Sequence, residues 1–225
     1  MKLKKIASLM LAGVMAVSML AGCGESSSSS SSEPTNPVTP VATGIADAVN
    51  AARNDYAKSA LKLTYNESSS LAEILQTVAQ DKYGKDSDAV KKIAGSDGYA
   101  DAVEAKNSDM YSKISSKLAG GAVEADSTNV SAAKLTKGTH KFVRIYTVGG
   151  NYSIQAAGNM IAANAGTSEL NQLVDHMPLH DNNADPDLKA SYTADIAAVK
   201  VTSNVDSKVN AWVIAVVYTQ TVAEV

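Results

Sequence analysis

The chain is poor in the residues that usually announce chemistry. It holds one cysteine, Cys23, and only three histidines. From about Gly44 to Val225 there is no cysteine, which excludes disulfides, thiolate zinc sites and a cysteine nucleophile together. Aromatics are scarce too: Trp212, Phe142 and nine tyrosines. A core must therefore be built largely from alanine, valine, isoleucine and leucine. No phosphate-binding glycine loop, Gly-x-Ser-x-Gly elbow or paired His-Glu metalloprotease motif is present. No internal repeat is visible.

What is present is concentrated first at the N-terminus. Lys2, Lys4 and Lys5 precede an uncharged apolar run, Ile6 to Leu20, too short for a confident membrane span. The run closes on Leu20-Ala21-Gly22-Cys23, which resembles the lipobox of bacterial lipoproteins. That resemblance implies a signal peptide over residues 1–22 and a diacylglycerol on the Cys23 thiol, at the outer face of the cytoplasmic membrane. The competing readings are an ordinary signal cleaved at small residues and a buried apolar helix. Residues 23–43 are dominated by serine, with Pro34, Pro37 and Pro40, and read as a solvated tether.

Loss of residues 1–22 removes three lysines and no acid, so the charge moves from 20 − 23 = −3 to 17 − 23 = −6. An acidic protein is a poor match for nucleic acid, which requires a cationic face. The remaining stretch, 44–225, suits one domain with a real core.

Along that stretch Ile45, Val49, Ala52 and Tyr56 recur at helical spacing, and Leu71, Leu75 and Val78 do so after a polar link. Ala89 to Ala94 reads as a short helix. Val103, Met110, Ile114 and Leu118 form a stripe ended by Gly120-Gly121. The pattern then changes: Phe142-Val143-Arg144-Ile145-Tyr146-Thr147-Val148 is a strand signature. Helix returns at Ala156–Ala163 and from Ser168 to about His176. Ile196–Thr202 and Val209–Val222 predict a hairpin through the turn-rich link at 203–207. The class is α+β, helices around a small, mainly antiparallel sheet.

Several segments, in order, resemble the bacterial CAP (SCP-like) domain. These are Asn50-Ala51-Ala52-Arg53, then Leu61 to Tyr65, then Leu71-Ala72; later Gly158-Asn159-Met160-Ile161-Ala162, Pro178-Leu179-His180-Asp181, Thr193 to Val199, and Ala211-Trp212-Val213-Ile214. The resemblance implies an α-β-α sandwich, with a divergent helical insert around residues 81–139. It implies further a shallow cavity lined by two histidines and two glutamates, sometimes with a divalent metal. His180 stands at a matching position. The motif's glutamate falls on Gly158 or Asn159, neither a carboxylate, and the family's first histidine has no counterpart after the second helix.

The candidate cavity residues are thus His180, Asn159, His140 and His176. His176 and His180 share a metal-type spacing, but Pro178 between them disfavours one helical face. Asp181, Asn183 and Asp185 begin like a calcium loop, yet Pro186 and Tyr192 occupy the positions that need glycine and glutamate. Ser96, in Gly95-Ser96-Asp97-Gly98, reads as a turn residue, and Trp212 as core. No metal and no cofactor is assigned. The expectation is a lipid-anchored module that binds an envelope, lipid or protein ligand. Its rival is a hydrolase or metal-dependent enzyme using His180 with His140 or His176 and a carboxylate such as Asp175 or Asp181.

Overall fold

The computed structural model describes residues 41–84, 86–95, 100–103, 109–130, 135–163, 169–181 and 185–225. They lie in a compact unit, Asn36–Val225. The signal, Cys23 and all but the last residues of the tether fall outside the described residues, as do Ser96 and Asn183.

Three long strands form the frame: β5 (Gly138–Gly149), β7 (Asp185–Thr202) and β8 (Asn210–Glu224). β8 lies between the other two, antiparallel to both, with Val217 opposite Val143 on one side and Asp195 on the other. Residues 211–218 of β8 are buried without a break, so alternate side chains are apolar on both faces. Such a sheet requires cover on each side, and the helices divide accordingly.

On the first face, Trp212, Ile214, Val216 and Tyr218 meet α1 (Ile45–Ala52), α6 (Ile154–Ala163) and α7 (Glu169–Asp175). On the second, Val213, Ala215 and Val217 meet α2 (Ser69–Tyr83), α3 (Ser87–Ala94) and α4 (Met110–Lys117). The expected α+β class is observed, with helices on both sides of a mixed sheet. The capping signals are local: the Ser68 hydroxyl accepts from Leu71 N, and the Asp86 carboxylate from Asp88 N and Ala89 N.

Short strands complete the edges. β1 (Val41–Ala42) is antiparallel to β7, and β2 (Tyr65–Glu67) is parallel to it; β6 (His180–Asp181) also pairs with β7. β3 (Asp101–Val103) and β4 (Val123–Glu124) pair with β5, and α5 (Ser127–Val130) follows.

Some sequence expectations are corrected here. Val41 and Ala42, assigned to the tether, belong to the sheet because β7's edge supplies their backbone partners. Val103 lies in β3, so the stripe to Leu118 is a strand followed by the shorter helix α4. Tyr56 leaves α1 for a π-helical turn, Tyr56–Ala60, started when the Asn54 side chain accepts from Ala57 N at 2.8 Å. β7 begins at Asp185, eleven residues before Ile196. The segment 81–139 is not purely helical, since it contributes β3 and β4.

The Asn-x-x-Arg pair of α1 has a structural role. Asn50 Nδ2 donates to Tyr65 O at 2.8 Å, while its Oδ1 accepts from Tyr65 N at 2.9 Å. Arg53 Nη1 donates to the same Oδ1 at 2.8 Å and to Leu63 O at 2.6 Å. One amide and one guanidinium thus hold the extended link before β2. Where α1 crosses α6, Gly158 allows close contact: a Cβ there would lie 2.4 Å from Ala48 Cβ. Among the described residues no helix is long and apolar enough to cross a membrane.

Two outcomes follow. Asn50→Ala strands the Tyr65 backbone groups, so unfolding in urea should show a loss of about 1–3 kcal/mol with an unchanged m value. Gly158→Ala gains about 1 kcal/mol of helix propensity. Overpacking against the rigid Ala48 methyl outweighs that gain, for a net loss of about 1–2 kcal/mol in the same assay.

Candidate functional site

The four candidate residues do not converge. Asn159 is exposed on α6, where its Oδ1 accepts from Gln155 Nε2 one turn earlier, at 3.3 Å. The buried side of that helix is Ala157, Gly158, Ile161 and Ala162. Gly158 is thus consumed by the contact with α1, and Asn159 faces solvent.

His140 lies on β5 in a row with Gln220 and Tyr192, on the first face. Its Nε2–H donates to Thr136 O at 2.7 Å. His180 sits in β6 opposite Lys189. Lys189 lies between Leu188 and Ala190, both first-face residues, so His180 belongs to the second face. His140 and His180 are therefore separated by the sheet. His176 follows the end of α7 and is exposed, its backbone N bonded to Gln172 O and Leu173 O. The His176–His180 spacing is broken by Pro178, as expected, one residue lying at a helix end and the other in a strand. Among the described residues no three His, Cys, Asp or Glu side chains gather to hold a metal.

What the structure does build is a firmly held loop between α7 and β6. Tyr56 Oη donates to Met177 O at 3.1 Å, and Tyr192 Oη donates to Pro178 O at 2.9 Å. Ala190 N donates to Leu179 O at 2.9 Å. Gln220 Nε2 donates in turn to Tyr192 Oη at 2.5 Å. Three successive carbonyls are satisfied, so the backbone between His176 and His180 is fixed while both histidines face solvent. At its start, Asn54 Nδ2 donates to Asp175 Oδ1 at 2.7 Å. Asp175 is thereby committed to the Asn54 amide. Burial raises the Tyr192 hydroxyl's pKa, an effect the Gln220 amide partly offsets.

A second polar group lies along β5. The Arg144 side chain is 9% exposed and its Nη1 is 3.3 Å from Glu124 Oε1. Its guanidinium carbon is 6.0 Å from the Tyr146 ring centroid. Tyr111 Oη donates to Val103 O at 2.6 Å and accepts from Ile145 N at 3.2 Å, joining α4 to the β5 edge. Burial pushes the Tyr111 hydroxyl up to about 12, although nearby Arg144 opposes the shift. Deeper in, Tyr65 and Tyr218 meet edge to face with hydroxyls 3.3 Å apart. These contacts tie elements together, and the ion pair is closed in by them.

Sequence reasoning missed Gln220, Tyr192, Arg144 and Glu124. A charge or an amide inside an apolar strand was the available signal for Arg144 and Gln220; nothing local marked Glu124 as the partner. Comparison with family models, curated proteins and solved structures returned no match.

The tyrosines give a pH test. Tyr65, Tyr111, Tyr192 and Tyr218 all bind their protons more tightly in the folded chain than at the ordinary value near 10. Above pH 10 the unfolded chain holds fewer protons, so stability falls as pH rises, Tyr111's share being lost between pH 10 and about 12. Urea unfolding at pH 9, 10 and 11 should show this decline. Tyr111→Phe should be less stable at pH 9, and its decline above pH 10 should be shallower by up to about 1.4 kcal/mol per pH unit.

Proposed function

We propose that this protein is a lipid-anchored, CAP-like module on the outer face of a bacterial cytoplasmic membrane, acting by binding rather than by turnover. The observation that carries the location is the ordered sequence of basic start, apolar run, Leu20-Ala21-Gly22-Cys23 and Ser/Pro-rich tether. Two acyl chains on one residue would anchor stably, where one would be marginal.

Several features support the CAP-like reading. Helices cover both faces of the sheet, Asn50 and Arg53 hold the link that follows them, and Trp212 packs in the last strand with its Nε1–H on Tyr152 O. Binding is favoured over catalysis by the distribution of side chains. A general base needs an oriented partner within hydrogen-bond reach. His180 and His140 lie on opposite faces, Asp175 is engaged by Asn54, and Asn159 faces outward. The enzyme alternative has no such constellation among the described residues.

Metabolic labelling with a palmitate analogue, read with membrane fractionation, tests the anchor. Wild type should take up label and sediment with membranes. Cys23→Ser should take up none, and its domain should be released or held by an uncleaved signal with an unchanged fold. Unlabelled wild type in the membrane fraction would refute the reading.

A further inference from the structure

We draw no further inference here: the strongest candidate, the side-chain cluster of His140, Gln220 and Tyr192 on the first face of the sheet, belongs to the contacts already described, with Gln220 Nε2 held by Tyr192 Oη and His140 Nε2 by Thr136 O, and nothing among the described residues says what its remaining acceptors would bind.

Discussion

β8 is paired along its whole length, with β7 from Leu188 to Thr202 on one side and β5 from Gly138 to Gly149 on the other. Its side chains from Ala211 to Tyr218 are buried on both faces. At roughly 25 cal/mol per Å² of apolar surface removed from water, neither face tolerates exposure, so one layer of helices on each side follows from this strand alone. The short strands then serve the outer edges. β1, β2 and β6 pair with successive parts of β7; β3 and β4, with the Tyr111 hydroxyl, serve β5.

Covering both faces creates polar obligations inside the layers, and side chains meet them. Asn50 and Arg53 bind the backbone of the link that enters the first layer. Tyr56 and Tyr192 bind the carbonyls of the loop that leaves α7. Arg144 and Glu124 enter as a pair, an arrangement that is costly to break from one side because the partner charge remains. These residues look like site chemistry in a sequence and act as joints in the fold.

That distinction explains what was legible. Segments with a clear period were readable: α1, α2, α6, α7 and the β5 and β8 strands stand where period and composition placed them. Strands of two or three residues carry no period, so β1 to β4 were invisible, and Val103 joined a helical stripe by coincidence of spacing. The first half of β7 was missed because Ser191, Thr193 and Asp195 face solvent and only Tyr192 among the residues alternating with them is large, Ala190 and Ala194 being small, which weakens the strand signal. The candidate histidines were identifiable as residue types, but the face each occupies depends on register. A shift of one residue reverses it, and register is not written in local sequence.

Gly158 links the fold to the proposed role. The α1–α6 crossing brings Ala48 to where any side chain at 158 must begin, so at this position no carboxylate fits without separating the two helices. Asn159, the next residue, points outward because the same crossing sets the rotation of α6. Close packing and a polar cavity compete for the same space, and at this crossing packing wins. A scaffold closed in this way has its interior at this crossing spent on stability. Farther along the sheet the strands run on beyond their helices: Thr139, Ser191, Thr193 and Thr221 are exposed while β8 stays paired on both sides.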